Sequence, residues 1–293
     1  MKKRKKVLVV IITYNDEDFI ANVIKKVPKD LRIKNSEILI IDDNSTDKTF
    51  WKIQNFLKEN KTKFKINFVE NKKNKGYGRN QKIGYVFAIK KNFDIAVMVH
   101  GDEQFGPDKI DKMIEPIMED QADLVLGSRM LKKIDALKGN MPLYKFLGNI
   151  LLTFVQNIFL NANLSEYHTG YRAFSVKSLK KVPFIYNTDG FPFDNEILIQ
   201  FIMKKLRIKE IPIPTSYTNQ ISNLKVIPYG LRVLKTLFLA VFQRLGVCDL
   251  RKFRLNLNIK SSKLEKRIFR EALQGIKFAK KREIMIYNFL MPN

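Results

Sequence analysis

The chain has 293 residues, of which 45% are hydrophobic and 28% are charged, a balance that excludes wholesale disorder and allows a sizeable packed core. Its one cysteine excludes an intramolecular disulfide and a cysteine-based zinc site, and it favours a reducing, cytoplasmic compartment. Lys and Arg number 54 against 29 Asp and Glu, a formal charge of +25, which indicates a polyanionic partner: nucleic acid, an anionic membrane surface or a phosphorylated substrate.

Apolar runs and helix signals alternate along the first half of the chain. Continuous apolar runs are typical of strands buried on both faces of a parallel sheet. They predict strands at Val7–Thr13, Glu37–Ile41, Ile66–Val69, Ile95–Val99 and Leu124–Leu126. Helices are predicted from about Asp16 to Val27, from Ser45 or Thr46 through Leu57, from about Asn80 to Lys90 and after Pro107. This alternation predicts an α/β sheet with right-handed crossovers, whose ligands bind outside the carboxyl ends of the strands.

Two longer segments are rich in apolar residues, Leu143–Leu160 and Tyr229–Val247. Neither contains about 18 uninterrupted apolar residues, so no transmembrane helix is predicted. Each is predicted to be either a core-facing helix or a helix in the membrane interface, with basic side chains among anionic headgroups. Twelve basic and three acidic residues from Arg251 onward favour the interfacial alternative for the second segment. A nucleic-acid-binding module is the weakest interpretation of the charge, because no recognition motif accompanies it.

Three predicted strand ends carry clusters of polar residues. They are Thr13-Tyr14-Asn15, Asp42-Asp43-Asn44-Ser45 and His100-Gly101-Asp102-Glu103-Gln104. Acidic residues at neighbouring strand ends suit ribose hydroxyls at one end and a phosphate-bridging divalent cation at the other. His100, Asp102 and Gln104 have the nitrogen and oxygen ligands that suit Mn²⁺ or Mg²⁺. The alternative is that these side chains only cap helices and turns.

Seven motifs follow one another along the chain. They are Val10-Ile-Ile-Thr-Tyr-Asn15, Ile40-Ile-Asp-Asp-Asn-Ser45, Asn74-Lys-Gly76, Leu126-Gly-Ser-Arg129, His168-Thr-Gly-Tyr-Arg-Ala-Phe174, Phe193-Asp-Asn-Glu196 and Glu210-Ile-Pro-Ile-Pro214. In this order they resemble the motifs of family 2 glycosyltransferases, in particular the dolichol-phosphate mannose synthase branch, over about residues 7–218. The resemblance implies a GT-A fold, Rossmann-like, with a mixed, mainly parallel sheet. At two positions the chain departs from the family: His100 replaces the first carboxylate of the usual Asp-x-Asp, and Ile12 stands where Pro is common.

The resemblance implies a role for each matching residue. The residues implied to bind the nucleotide-sugar are Thr13, Tyr14, Asn15, Asp42, Asp43, Ser45 and Gly76. The resemblance assigns the metal on the diphosphate of the nucleotide-sugar to Asp102, with His100 and Gln104. Replacing His100 by aspartate is expected to keep or raise the activity that Mg²⁺ supports. Arg129 and Arg172 are implied to bind phosphate. Asp194 or Glu196 is the general base if the acceptor is a hydroxyl, unless both only serve the helix dipole.

The implied function is that of an inverting glycosyltransferase with a nucleoside-diphosphate sugar as donor. The expected acceptor is a polyprenyl phosphate or a lipid-linked saccharide of the cell envelope, at the inner face of the cytoplasmic membrane. The alternatives are a transferase with a soluble hydroxyl acceptor and a degenerate, non-catalytic nucleotide-sugar binder. The catalytic domain is expected over residues 1–218 and an amphipathic, basic, helical, membrane-associated extension over 219–293; no specific nucleic-acid partner is expected.

Overall fold

Seven strands form one mixed sheet in the computed structural model, which describes residues 5–28, 36–60, 65–104, 106–214, 226–257, 259 and 262–290. The strands are β1 (Val7–Thr13), β2 (Glu37–Asp42), β3 (Lys65–Glu70), β4 (Ile95–His100), β5 (Leu124–Ser128), β6 (Arg172–Ser175) and β7 (Ile208–Pro212). Their order across the sheet is β3-β2-β1-β4-β6-β5-β7. Only β6 runs antiparallel to its neighbours in this described sheet, between β4 and β5. The expected mixed, mainly parallel sheet is confirmed.

The five predicted strands are all present, and each extends at most two residues beyond its predicted bounds. All seven residues of β1 are buried, as expected for a central strand covered on both faces. Alternate residues of β1 contact different cores: Leu8 and Val10 belong to one hydrophobic cluster, and Val9 and Ile11 to the other. This period of two buries both faces of the strand. Because β1 is parallel to β2 and β4, the carboxyl ends of these strands, and the polar residues that follow them, lie at one edge of the sheet.

Ten α-helices surround the sheet within the described ranges. They are α1 (Ile20–Lys26), α2 (Thr49–Glu59), α3 (Tyr77–Lys90), α4 (Ile110–Met118), α5 (Lys133–Lys138), α6 (Leu143–Leu160), α7 (Val176–Leu179), α8 (Phe193–Met203), α9 (Val226–Arg244) and α10 (Lys263–Leu290). The first helix begins four residues later than predicted, because the chain makes a turn at Asp16 before it. The third begins three residues earlier, directly after Gly76, whose φ of 92° suits glycine.

The two long apolar segments form α6 and α9, which pack against each other with Phe159 and Phe238 in edge-to-face contact. By length and composition alone each helix qualifies to cross a membrane, which differs from the sequence-based expectation. Only 28% of the apolar stretch of α6 and 22% of that of α9 are buried, so neither helix is mainly core-facing. Their solvent-exposed apolar side chains define the α6–α9 face: Leu143, Leu147, Leu151, Phe154 and Ile158 of α6, Ile227, Leu231, Phe238 and Phe242 of α9, and Leu245 directly after α9.

The last helix, α10, packs against β3 and α3. Its residues Ile268 and Ala272 are buried in the same hydrophobic cluster as Leu8 and Val10 of β1. Gly275 approaches β3 so closely that a Cβ there would lie 2.5 Å from a methyl carbon of Val69. The described part of the expected extension after residue 218 therefore continues the core of the preceding residues, while the domain boundary stays a prediction.

Charged contacts also join α10 to the start of α3. The Glu271 carboxylate accepts hydrogen bonds from Arg79 Nη2 at 2.6 Å and from Lys75 Nζ at 3.3 Å. Glu271→Ala is expected to lower the free energy of unfolding by about 2 kcal/mol, because it leaves the nearly buried Arg79 without this carboxylate. Urea-induced unfolding at pH 7 measures this change.

The control for this variant is Arg267→Ala. Arg267 pairs with Glu271 at 3.5 Å, but its side chain is 71% exposed, so its loss should cost less than about 0.5 kcal/mol. Equal losses in the two variants would contradict the importance assigned to the buried pair with Arg79.

Candidate active site

The carboxyl end of β1 is organised by Asp16, a residue that the sequence motifs did not single out. Its Oδ2 accepts hydrogen bonds from Thr13 Oγ1 at 2.6 Å and from the backbone N–H of Tyr14 at 3.1 Å. Burial, opposed by the Thr13 hydrogen bond and reinforced by the charge of Asp102, raises the pKa of Asp16 to about 7. A Cβ on Gly101 would lie 2.5 Å from Thr13 Oγ1. The ends of β1 and β4 are therefore in direct contact, with Thr13 on one side and Asp102 on the other.

Asn15 and Ser45 connect the ends of β1 and β2. Ser45 Oγ accepts the backbone N–H of Asn15 at 2.9 Å, and Asn15 Oδ1 accepts that of Thr46 at 2.8 Å. Asn15 has a φ of 57°, a left-handed conformation in which Asn is enriched. Both side chains thus shape this edge of the site, while the neighbouring Tyr14 is exposed there.

Asp42 presents a buried carboxylate oxygen at the end of β2. Its Oδ1 accepts the backbone N–H and the hydroxyl of Ser45 at 3.0 and 2.5 Å, whereas its Oδ2 has no hydrogen-bond partner among the described residues. Burial, opposed by the Ser45 hydrogen bonds, raises the pKa of Asp42 to about 6. Because a buried oxygen without a donor is costly, Oδ2 suits a ligand that donates a hydrogen bond, such as a ribose hydroxyl or a base N–H.

Asp43, in contrast, holds the loop before α3. Its Oδ1 accepts hydrogen bonds from Asn71 Nδ2 at 2.9 Å and from the backbone N–H of Lys75 at 2.8 Å, and its Oδ2 accepts the N–H of Gly76 at 2.9 Å. A Cβ on Gly76 would lie 2.6 Å from the carbonyl oxygen of Asp189. In this structure Asp43 and Gly76 fix the loop beside Asp42, and their contact with a nucleotide stays a prediction.

Two of the expected metal ligands at the end of β4 have hydrogen-bond partners within the protein. Asp102 Oδ1 accepts the backbone N–H of Gln104 at 3.0 Å, and His100 Nε2 lies 2.9 Å from Tyr77 Oη. Burial lowers the pKa of His100, so its ring is neutral at pH 7. Within the described ranges no group of three carboxylate, imidazole or thiol side chains could hold a metal ion. Asp102 still fits a cation that takes one carboxylate from the protein and the rest of its ligands from a diphosphate and water, as Mg²⁺ commonly does.

Arg129 is engaged by a buried carboxylate. Its Nε donates to Glu166 Oε1 at 2.9 Å and its backbone N–H donates to Glu166 Oε2 at 2.8 Å. Burial alone would raise the pKa of Glu166, but the charge and hydrogen bonds of Arg129 hold it below its usual range. Glu166 therefore orients Arg129, and a contact of Arg129 with phosphate stays a prediction.

Arg172 does not fit the phosphate-binding role implied by the resemblance. Its side chain is fully buried. Its three guanidinium nitrogens donate to the carbonyl oxygens of Thr169, Asp194 and Tyr167 at 2.8, 2.6 and 3.0 Å. The guanidinium of Arg172 thus links the start of β6 to α8 through hydrogen bonds.

The two carboxylates in the first turn of α8 are also bound by protein donors. Asp194 accepts hydrogen bonds from Tyr77 Oη at 2.6 Å and from Gln81 Nε2 at 2.8 Å, one on each oxygen. Glu196 is fully buried and accepts from the backbone N–H of Thr188 at 2.7 Å and from Lys252 Nζ at 2.6 Å. Burial therefore removes Glu196 from the candidate bases, and Asp194 has a donor on each of its oxygens.

Sequence reasoning missed four residues that organise this site. Two of them directly follow a motif: Asp16 follows Asn15, and Tyr77 follows Gly76. Gln81 and Glu166 carry no local signal, because their partners come from distant parts of the chain.

A mixed sheet in this strand order, with its polar residues at the carboxyl ends of β1, β2 and β4, defines a glycosyltransferase of the GT-A fold. The chain belongs to glycosyl transferase family 2, whose model matches residues 8–183. Its relatives include the UDP-N-acetylglucosamine–dolichyl-phosphate N-acetylglucosaminyltransferase of Methanococcus voltae, 34% identical over 73% of this chain and 87% of the relative. The dolichol-phosphate mannosyltransferase of Pyrococcus furiosus is 29% identical over 71% of this chain and 55% of that protein.

A solved structure supports the fold assignment. Glucosyl-3-phosphoglycerate synthase from Mycobacterium tuberculosis, crystallised with Mn²⁺, UDP and glucosyl-3-phosphoglycerate, superposes with a TM-score of 0.59. The match covers 84% of this chain and 81% of that one at 17% identity, a similarity that shows the shared fold.

Proposed function

We propose that this transferase moves a sugar, with inversion, from a nucleoside-diphosphate sugar to a polyprenyl phosphate during synthesis of cell-envelope glycans. The names of the Methanococcus voltae and Pyrococcus furiosus relatives, which act on dolichyl or dolichol phosphate, support this acceptor class. The observation that carries the proposal is the engagement of Asp194 and Glu196 by protein donors.

A hydroxyl acceptor needs a base within hydrogen-bond reach to remove its proton. Glu196 is fully buried beside Lys252, and both oxygens of Asp194 already accept hydrogen bonds. A phosphate acceptor is anionic at neutral pH and brings a nucleophilic oxygen without a proton to remove. In a single displacement that oxygen forms the new bond to the anomeric carbon, and the bond from this carbon to the nucleoside diphosphate breaks.

On the donor side, Asp42 Oδ2 would accept a hydrogen bond from the nucleoside, and Thr13, Tyr14 and Asn15 would line the same edge of the sheet. Asp102 would hold a divalent cation, Mn²⁺ or Mg²⁺, against the diphosphate. When bound, such a cation neutralises the charge that develops on the departing diphosphate.

The acceptor is tested with a polyprenyl phosphate and the polyprenol of the same chain length, each supplied in detergent with a panel of nucleotide-sugars. Transfer to the polyprenyl phosphate alone is the expected result. Transfer to the polyprenol at a similar rate would overturn the argument that the site works without a base.

The raised pKa of Asp42 predicts how donor binding depends on pH. The ionised carboxylate accepts a hydrogen bond from the nucleoside, so binding should be full above about pH 7 and should weaken as Asp42 takes up a proton below about pH 6. Calorimetric titration with nucleoside diphosphates at pH 5 and pH 8 measures this change. In Asp42→Asn the affinity should be low at both values, whereas Asp18→Asn, at an exposed position, should behave like the wild type. A pH dependence that persists in Asp42→Asn would assign it to another group.

The α6–α9 face is proposed to bind the membrane that carries the acceptor, at the inner face of the cytoplasmic membrane. Exposed apolar side chains spaced three and four residues apart along a helix suit burial in the headgroup region. The net charge of +25 favours anionic lipid. The face adjoins the site, because Tyr229 Oη in the first turns of α9 lies 3.1 Å from His168 Nδ1, and the carbonyl of His168 accepts a hydrogen bond from Arg129.

Liposome flotation of the full chain tests this surface. Binding to vesicles with anionic phospholipid is expected, with most of it lost near molar salt because the charges are screened. Leu151→Glu with Phe154→Glu should abolish flotation, whereas Leu273→Glu on α10, also at an exposed apolar position, should leave it intact. Equal binding to neutral and anionic vesicles would contradict the electrostatic part, and no binding to either would contradict the membrane surface itself.

A further inference from the structure

Three side chains from three separate elements form a hydrogen-bonded chain at the α8 side of the site. Tyr77 Oη, at the start of α3, lies 2.9 Å from Nε2 of His100 at the end of β4 and 2.6 Å from Oδ2 of Asp194 in α8. The Tyr77 and His100 rings meet edge to face, with their centroids 5.4 Å apart. Gly170 leaves room for this arrangement, because a Cβ there would lie 2.9 Å from Tyr77 Oη and closer still to the His100 ring.

The direction of these hydrogen bonds follows from the number of protons. An ionised carboxylate only accepts, and a tyrosine hydroxyl has one proton, so Tyr77 donates to Asp194. The 2.6 Å separation is typical of a hydroxyl donating to a carboxylate. Burial and the charge of Asp194 raise the pKa of Tyr77 well above its usual range, so it keeps its proton. His100 therefore donates its Nε2–H to Tyr77 Oη.

We propose that His100 and Tyr77 are positioning residues that hold the Asp194 carboxylate against α3, and thereby make the site selective for an anionic acceptor. This inference deepens the proposed function and rests on it. With Gln81 on its other oxygen, Asp194 has both oxygens turned to protein donors. Its charge is then held against α3 by these hydrogen bonds, and the carboxylate is not free to turn toward an incoming phosphate and repel it.

The same geometry gives a physical reason for the departure from Asp-x-Asp at position 100. An aspartate there would only accept hydrogen bonds, so Tyr77 would have one proton for two carboxylates. Like charges held this close repel each other. We therefore expect the opposite of what ligand preference alone suggests: His100→Asp should impair use of a phosphate acceptor.

The kinetic test measures KM for the polyprenyl phosphate and for the nucleotide-sugar separately. Tyr77→Phe should raise the acceptor KM about tenfold, because the Asp194 carboxylate released from α3 can turn toward the acceptor and repel it, and should leave the donor KM unchanged. His100→Asp should act in the same direction. His100→Gln, whose amide can donate to Tyr77, should keep the acceptor KM of the wild type. Combining Tyr77→Phe with Asp194→Asn should return the acceptor KM to the wild-type value, because the charge of residue 194 is gone.

A second measurement does not depend on turnover. The chain has two histidines, so ¹⁵N NMR of the imidazole nitrogens, assigned with His168→Gln and recorded without metal, reports the tautomer of His100. A proton on Nε2 is expected in the wild type.

The possible outcomes separate the two proposals. A wild-type protein that transfers no sugar to polyprenyl phosphate overturns the proposed function. The tautomer of His100 then still tests whether His100 donates to Tyr77 in the hydrogen-bonded chain. An active wild type with an unchanged acceptor KM in Tyr77→Phe, or a His100 ring with its proton on Nδ1, overturns the inference.

Discussion

Asp102→Ala is expected to lower Mn²⁺- or Mg²⁺-supported transfer by about two to three orders of magnitude, the usual effect of removing one group that stabilises developing charge. The carboxylate is the hard oxygen ligand that a phosphate-bridging cation needs, and it lies at the end of β4 beside Thr13 and Asp16. The fold should survive, because Asp102 is only partly buried and its carboxylate accepts the hydrogen bond of a local turn. Initial rates over a range of cation concentration, with thermal unfolding as a check of the fold, measure the effect.

The matched control for Asp102 is Glu103→Gln in the same turn. Glu103 pairs with Lys26 and with Asn22 of α1, so its loss should change the rate little. Full activity of Asp102→Ala, or equal losses in both variants, would remove the metal role from Asp102.

Glu166→Ala should be among the most destabilising single changes in the chain, at about 3–5 kcal/mol. The fully buried Glu166 accepts hydrogen bonds from the side chain and backbone of Arg129 and from Asn149 Nδ2 at 3.0 Å. Its removal leaves the guanidinium buried without a counter-charge. Denaturant unfolding at pH 7 gives the change, and Glu115→Ala at an exposed position of α4 should stay within about 0.5 kcal/mol of the wild type.

The same pair predicts the sign of a pH dependence. Since Arg129 holds the folded-state pKa of Glu166 below its unfolded value, the pair contributes its stability fully above about pH 4.3 and loses it as the pH falls through the folded-state pKa. The difference between the wild type and Glu166→Ala should therefore shrink in acid. A difference that stays constant down to pH 2 would show that packing, and not the charge of Glu166, accounts for the loss.

The strands were predictable because burial of both faces of a parallel sheet leaves a continuous apolar run, as in Val7–Thr13 and Ile95–Val99. The motifs also placed the polar residues correctly at the strand ends. Their partners were not predictable, because they come from distant segments: Lys252 reaches Glu196 from 56 residues away, and Asp194 reaches Tyr77 from 117. The partners of Arg172 were not predictable either. The motif alone does not distinguish an arginine that binds a phosphate from one that donates to three backbone carbonyls.

The antiparallel strand β6 has a consequence for how substrate preference can change. Because β6 runs opposite to β4, the segment that enters β6 lies at the edge where the parallel strands end. The residues proposed to bind the nucleotide-sugar all precede residue 105, while Arg129, Glu166 and the α8 carboxylates all follow residue 128. The two halves of the site are thus encoded in separate stretches of chain, bridged by Tyr77 and Gln81 from α3. With the proposed roles, the later stretch can vary in length and composition to suit new acceptors while the earlier one keeps its donor.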